Sequence, residues 1–382
     1  MSKQSRDRIW FTIHSWIGLK FSLFMSFLLV TGTIAVFSYE IDWLLNPEMH
    51  ADEWIAHDQV SWGAAYDSAR SEFPRATISG ITRQQDPWFA LQVSGRTRWN
   101  ESIRIWLEPV NGFYIGTTSW YNVQRFFRQI HRHLMLPNNI GIPIVTVMGF
   151  PLLISLIAGF VVYKKFWRGF FRWPRFKRKT RIWMGDLHRL AGLWTSWFVA
   201  LIALTSVFYF VEELGGHAPP FPSPDLEVIG RENVLPPSFN GDSLDQAVFN
   251  AREAMPGLEI RNILFPGSTR GMILIRGDHT AALVRPRANT VYIDPTSLDA
   301  IGKYQGEDLD PYTRISEASD PLHFGYFGGF ITKIVWFILG AIMSGLAITG
   351  VVIYTKRLRK VIDEESLDSK KINTEIERNN AI

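Results

Sequence analysis

Four long runs without a single charged side chain set the terms on which this chain folds: Phe21 to Tyr39, Ile140 to Tyr163, Leu190 to Val211 and Ile334 to Tyr354, of 19, 24, 22 and 21 residues. A helix rising 1.5 Å per residue crosses a hydrocarbon core of about 30 Å in about 20 residues, so each run is long enough to span a bilayer. The expected fold class is a polytopic α-helical membrane protein with four transmembrane helices. Lys3, Arg6 and Arg8 ahead of the first run resemble the start of a cleavable signal peptide. A signal core is about 7–15 residues long and ends at small residues, whereas this run continues into Ser38, Tyr39 and Glu40 and reads as a retained anchor.

The charges between the runs give an orientation. Lys164 to Arg181 holds nine Lys or Arg and no acid, and the segment after the fourth run opens with Lys356, Arg357, Arg359 and Lys360. The rule that short cytoplasmic connections are basic puts both termini inside and the two long, more acidic connections outside. That predicts a multi-pass protein of the bacterial inner membrane. Its parts are a tail and first span over 1–39, a periplasmic module over 40–130, a second span over 131–163 and a basic loop over 164–181. A third span over 182–211, a second module over 212–322, a fourth span over 323–354 and a tail over 355–382 complete it. The net charge of +4 thus belongs to topology and does not point to nucleic acid.

The halves repeat. His14 and His188 are each followed by Gly and Leu at the fourth and fifth positions, giving Gly18 and Gly192, and by a Thr seventeen residues on, Thr31 and Thr205. AYDSARSEFPRATISGI stands beside AVFNAREAMPGLEIRNI, and IWLEPVNG beside VYIDPTSL. Gly149 and Gly340, Gly159 and Gly350, and Tyr163 and Tyr354 are related by one offset of 191. Each half therefore reads as helix, soluble α/β module, helix. Within the modules, amphipathic stretches over Ala64 to Phe73 and Leu244 to Met255 end at Pro74 and Pro256, where a helix must stop. Alternating runs at Trp88 to Val93, Ile103 to Leu107, Met272 to Ile275 and Thr290 to Ile293 read as strands, so each module is expected to lay a helix on a small antiparallel sheet.

The order helix, module ending in VYIDPTSLDAIG, then a helix led by LHFG or IHRHL resembles the PepSY-associated transmembrane helix family over all but the last ~20 residues. The resemblance is greatest to inner-membrane ferric siderophore reductases of the ferrioxamine-uptake type. It implies PepSY-like modules, b-type haem bound by helix-end histidines, and a ferric siderophore as periplasmic substrate.

The histidines carry the specific expectation. His14 and His188 lie at the cytoplasmic ends of spans one and three; His131, His133 and His323 lie just beyond the external ends of spans two and four. Six-coordinate b-type haem needs two axial imidazoles on opposite faces of one porphyrin, which facing helices supply. Two bis-His haems are expected, one per face, with His14 and His188 as metal ligands of one and His131 and His323 of the other. The offset of 191 sets His323 opposite Arg132, so His133 is the alternative to His131. Gly18 and Gly192, one turn after their histidines, leave room for a flat macrocycle. With no cysteine, thiolate zinc and iron–sulfur sites are excluded, and without H-E-x-x-H a zinc site is less suited than haem. Zinc or copper held by His131 and His133 with Met135 nearby is the other metal reading. Arg128, Arg132, Lys333, Lys20, Arg181 and Arg189 are candidate propionate partners or ordinary interfacial cations. His50, His57, His217 and His279 have no matching partner and read as surface residues.

One haem near each face makes an electron path, and the expected activity is an oxidoreductase, a ferric siderophore or ferric chelate reductase. The cytoplasmic segments have neither G-x-G-x-x-G nor room for a βαβ unit, so the donor is separate: a quinol, a flavin or a soluble reductase. Two other readings stand beside this one. A membrane-held peptidase inhibitor predicts no haem. An iron or haem permease predicts charged or broken midplane helices, and the runs contain no acid.

Overall fold

The computed structural model describes residues 3–54, 56–224, 235–267 and 271–380, with the backbone alone for 3–7, 57 and 357–380. The helices in chain order are α1 Lys3–Lys20, α2 Ser22–Val36, α3 Ser38–Leu45, α4 Trp62–Glu72, α5 Val123–His133 and α6 Asn138–Thr146. They continue as α7 Gly149–Val162, α8 Thr180–Trp194, α9 Ser196–Glu213, α10 Gly241–Ala254, α11 Pro311–Phe324 and α12 Gly329–Asn380. The strands are β1 Thr77–Thr82, β2 Leu91–Arg96, β3 Ser102–Leu107, β4 Tyr114–Thr118, β5 Glu259–Leu264, β6 Ile273–Asp278, β7 Thr290–Ile293 and β8 Ala300–Tyr304. Two compact units result: a helical unit of Met1–Ile34, Ile130–Glu213 and Trp336–Ile382, and a sheet unit of Ala35–Gln129 and Leu214–Val335.

In the helical unit, three helices are long and apolar enough to cross a membrane, Asn138–Val162, Ser196–Glu213 and Gly329–Lys356. A fourth crossing exists if α1 and α2, bent by 66° where they meet, count as one. The straight helix expected from the hydropathy over the first run is thus absent, the chain bending at its start between α1 and α2. Beside the break the Ser22 hydroxyl bonds the Leu19 carbonyl at 2.8 Å, a local bond that competes with helical geometry. The third span likewise begins at Ser196 rather than Leu190: α8 stops at Thr195, whose hydroxyl bonds back to the Ala191 carbonyl. Both breaks come seven residues after a histidine, Phe21 after His14 and Thr195 after His188. Between α6 and α7, Pro151 has no N–H for the Val147 carbonyl, and that carbonyl takes a tighter i+3 bond from Phe150 instead. Small residues let the helices approach: a Cβ on Gly340 would sit 2.8 Å from Thr33 Oγ1, and one on Gly149 2.9 Å from the Ala203 carbonyl.

The sheet unit contains one antiparallel sheet of eight strands in the order β4-β3-β2-β1-β5-β6-β7-β8. Separate small sheets were expected, and the difference lies in β1 and β5, which pair edge to edge. Joining them removes two exposed edges, each a row of unpaired N–H and C=O groups. Ile81 faces Ile263 across that seam, Gly80 faces Leu264 and Thr82 faces Asn262, so the contact reads the same from either side. Both helices lie on one face of the sheet. Tyr66, Ala69, Leu244 and Ala247 pack with Ile81, Val93, Ile105, Ile263, Ile275 and Val291 in one core. Trp88 and Phe89, expected in a strand, precede β2. Phe89 packs with Met49, Ala90 and Trp106, and Trp88 lies against that cluster.

The N-termini of α4 and α10 hold each other reciprocally. Gly63 N–H donates to Asp245 at 2.8 Å, and Gly241 N–H to Asp67 at 2.7 Å. Carboxylates there satisfy orphan donors and oppose the helix dipole. These pairs match the halves at an offset of 178, whereas the strands match at 182; α10, with 14 residues against the 11 of α4, takes up most of the difference. Asp67→Ala and Asp245→Ala are each expected to lower the stability of the sheet unit by about 0.5–1 kcal/mol, with the double variant departing from the sum because the two carboxylates repel each other. Chemical denaturation followed by tryptophan fluorescence checks this.

Candidate functional site

Four of the predicted histidines, His14, His131, His133 and His188, lie in the helical unit, and the rings of three of them rest on the same short backbone device. His131, near the end of α5, has Nδ1 3.0 Å from the Leu28 carbonyl and 3.4 Å from Thr31 Oγ1 on α2. Thr31 directs its own proton to the Phe27 and Leu28 carbonyls. His188 on α8 has Nδ1 3.1 Å from Thr349 Oγ1 on α12, and its ring bonds the Leu346 carbonyl. Thr349 directs its proton to Gly345 and Leu346. His14 on α1 has Nδ1 2.9 Å from the Ser155 carbonyl on α7. A carbonyl, or a hydroxyl whose proton is engaged, can only accept, so each Nδ1 is assigned the proton and each Nε2 the free lone pair.

The seats share a sequence: LLVTG at 28–32, SLIAG at 155–159 and LAITG at 346–350. The first residue offers its carbonyl, the fourth a hydroxyl in two of the three, and the last is a glycine under the ring. A Cβ would come within 2.6 Å of His131 Cε1 at Gly32, 3.8 Å of His14 Cε1 at Gly159 and 3.6 Å of His188 Cε1 at Gly350. IALTS at 202–206 repeats the spacing, and Thr205 donates to Leu201 and Ile202 as Thr31 does to Phe27 and Leu28. Sequence reading marked the Thr31–Thr205 and Gly159–Gly350 pairs as repeat landmarks and missed Ser155, Thr349 and Gly32. The recurring five-residue string was the signal that could have found them.

Two of the seated rings share one space. The His14 and His188 ring centres are 6.4 Å apart with planes at 76°. Two metal–imidazole bonds of about 2.0–2.1 Å, with about 1.1 Å from each nitrogen to its ring centre, add to about 6.3 Å, the separation of two rings that share one metal with both Nε2 atoms turned to it. Among the described residues no group of three or more His, Cys, Asp or Glu gathers to hold a metal ion. A donor set of two imidazoles with protonated, carbonyl-bonded Nδ1 atoms suits a metal that brings its own equatorial ligands, as haem iron does. Gly18 faces open space, and a Cβ on Gly192 would meet only the Leu346 side chain at 3.8 Å. The glycines against the two rings are Gly159 and Gly350.

His133 ends α5 and is not seated; its Nδ1 is buried without a hydrogen-bond partner among the described residues. The chain then turns through Leu134 and Met135, both at positive φ. His323 belongs to the sheet unit, in the last turn of α11, with its ring 5.5 Å from Phe324 and a left-handed Gly325 closing the helix. Nearby, burial raises the Tyr326 phenol above its ordinary range, helped by Asp320. Two histidines read as surface residues are structural. His50 stacks on Trp43 at 3.9 Å and bonds its carbonyl, and His279 bonds the Pro256 carbonyl. His217 is exposed, and the His57 side chain lies outside the described residues.

The candidate cations also separate. Lys333 is buried between Glu40 at 2.6 Å and Asp86 at 2.8 Å, which removes it as a propionate partner. Arg189 pairs with the buried Asp186, while Lys20, Arg128, Arg132 and Arg181 are exposed. Two further arginines, Arg104 and Arg125, have their guanidinium groups 5.0 and 4.5 Å from the Trp120 ring centre.

A helical unit of apolar spans with seated histidines, built into one chain with an antiparallel sheet unit, defines a class of membrane protein. The family described as PepSY-associated TM region matches residues 11–357, and the chain belongs to that family. None of the curated proteins compared with the chain matches it.

Gly32→Ala is expected to push His131 off its seat and cost about 1–3 kcal/mol, whereas Gly159→Ala and Gly350→Ala, with ordinary contact distances, stay near wild type. Thermal unfolding in detergent distinguishes them. Lys333→Met leaves two buried carboxylates without their cation and is expected to cost about 3–5 kcal/mol, with Lys333→Arg retaining most of the stability in the same assay.

Proposed function

We propose that the protein is an inner-membrane reductase with two b-type haems, four spans and two internal repeats, which passes electrons outward to a ferric siderophore and releases Fe(II). The observation that carries the reading is the His14–His188 pair, two rings 6.4 Å apart with both Nδ1 atoms engaged. The broken helix Arg8–Lys20 plus Ser22–Val36 counts as the first span, since 15 residues of α2 alone rise only about 22 Å. The mirrored register at Ile81 and Ile263 supports the duplication. The nine cations of 164–181 favour both termini inside, with the sheet unit in the periplasm.

A b-type haem, when bound, supplies a one-electron carrier. The chain's own contribution is to hold its imidazoles. Each Nδ1–H bond fixes a ring's tautomer and orientation and makes Nε2 a more basic ligand. His14 and His188 serve the cytoplasmic haem. His131, already seated on α2, is assigned with His323 to the second on the strength of their positions in the sequence. His133 has no comparable seat. Each ferric chelate gains one electron and is left as Fe(II), a less highly charged ion that hydroxamate oxygens hold more weakly. A quinol, reduced flavin or soluble reductase inside loses one electron per iron reduced.

Oxidised and dithionite-reduced spectra of the purified protein, with a pyridine haemochrome assay, test this directly. Two haems per chain are expected, His188→Ala and His323→Ala each removing one. Absence of a Soret band would overturn the reading in favour of a non-redox PepSY-type regulator. Reoxidation of the reduced protein by ferric hydroxamates, but not by their gallium analogues, is the expected sign of the acceptor.

A further inference from the structure

Arg189 follows His188 directly, and its guanidinium is only half used. Nη1 donates to Asp186 at 3.1 Å, while Nε and Nη2 are buried and have no partner among the described residues. Those two atoms form the side-on edge of the guanidinium, the edge that matches two oxygens of a carboxylate or phosphate at once. The same protein uses that edge twice for this purpose. Arg175 holds Asp186 through Nε at 2.8 Å and Nη2 at 3.1 Å, and Arg285 holds Glu317 through Nε at 2.8 Å and Nη2 at 2.7 Å.

Asp186 cannot turn to serve the second edge. Buried at 3% exposure, it already accepts from the Arg175 side chain, the Arg175 backbone N–H and Arg189 Nη1. One carboxylate between two guanidinium groups leaves one positive charge over. Arg175 is half exposed, so water screens its charge, but the buried donor pair of Arg189 is costly without acceptors.

The position of the guanidinium ties it to the histidine pair. Ser155, Gly159 and Tyr163 follow each other at four-residue steps along α7 and its end, one face of the helix. His14 rests on the first two, and the Arg189 guanidinium lies 5.8 Å from the Tyr163 ring centre. The Arg189 guanidinium therefore lies by the end of the α7 segment that carries the His14 seat, where the chain enters the basic loop.

We propose that the Nε–Nη2 edge of Arg189, held in place by Asp186 and Arg175, is the binding site for a two-oxygen anion brought by a ligand of the His14–His188 site. The anion is a haem propionate carboxylate, or else the phosphate of a reduced flavin mononucleotide donor. The propionate assignment rests on the haem reading of the preceding section; the anion site itself does not.

The test uses full-length protein in detergent with Arg189→Lys, Arg189→Gln and, as control, Arg181→Gln, an exposed cation on the same helix. Haem per chain, the midpoint potential of each haem and the KM for reduced flavin mononucleotide are read. With a propionate in the fork, Arg189→Gln lowers one potential and weakens retention of that haem about tenfold or more. Arg189→Lys keeps the charge and restores the potential without the retention, and Arg181→Gln changes neither. A rise in KM of similar size with potentials unchanged identifies the phosphate as the anion and upholds the site. Wild-type potentials, haem retention and KM in Arg189→Gln overturn the proposal. If wild-type protein holds no haem, the haem reading fails and the anion site is tested by calorimetric titration with inorganic phosphate. Binding weakened in Arg189→Gln and not in Arg181→Gln supports the site, and equal binding in all three overturns it.

Discussion

A histidine among membrane helices has no water to satisfy its ring, so one nitrogen must find an acceptor on a neighbouring helix. Helical carbonyls are already bonded i to i+4, yet each retains a second lone pair, and a ring can reach it only where side chains are small. The seats at 28–32, 155–159 and 346–350 meet both conditions with a carbonyl and a glycine one turn apart. Satisfying Nδ1 in this way settles the tautomer and turns Nε2 outward as a base. A structural requirement of burial thereby prepares a ligand, and the 6.4 Å separation of His14 and His188 follows from where two seats sit on α7 and α12.

The helix breaks belong to the same logic. A straight helix fixes the direction of every side chain along it, and a ring at its end must be aimed independently to reach a seat on a different helix. α1 stops at Lys20 and α8 at Trp194, each within seven residues of its histidine, and at the first of these the 66° bend lets the ring-bearing helix take its own direction while α2 continues. Both breaks use local hydroxyl bonds, from Ser22 and Thr195, rather than proline, so no backbone donor is lost at them. In the sheet unit the β1–β5 seam plays the corresponding part. It holds the two four-stranded halves in one sheet mainly through backbone bonds, which require almost nothing of side-chain identity beyond the buried Ile81–Ile263 contact.

That difference explains what could be read from the amino-acid order. Apolar runs, the α4 and α10 stretches and β7 were legible because burial imposes a period on side chains, and the nearness of His14 and His188 because ionisable groups beside apolar runs are rare. The seam was not legible. Thr77 to Thr82 contains Ser79 and Gly80 and carries no strong alternation, so its pairing is decided by β5. The breaks in spans one and three were hidden for the opposite reason: hydropathy runs straight through Phe21 and Thr195, and geometry there turns on one hydroxyl. Lys333 looked like an interfacial cation because its partners, Glu40 and Asp86, are 293 and 247 residues away along the chain.

The buried charges complete the account. Asp186 with Arg175 and Arg189 leaves one positive charge beside the His14–His188 site. Lys333 with Glu40 and Asp86 leaves one negative charge in the sheet unit, where Glu40 Oε2 is buried without a hydrogen-bond partner among the described residues. The two groups differ in what is left unmet. Arg175 is half exposed, so water screens the surplus positive charge, whereas the Nε–Nη2 edge of Arg189 is buried without a partner among the described residues. What the helical unit lacks beside His188 is therefore a pair of acceptor oxygens rather than a counter-charge alone.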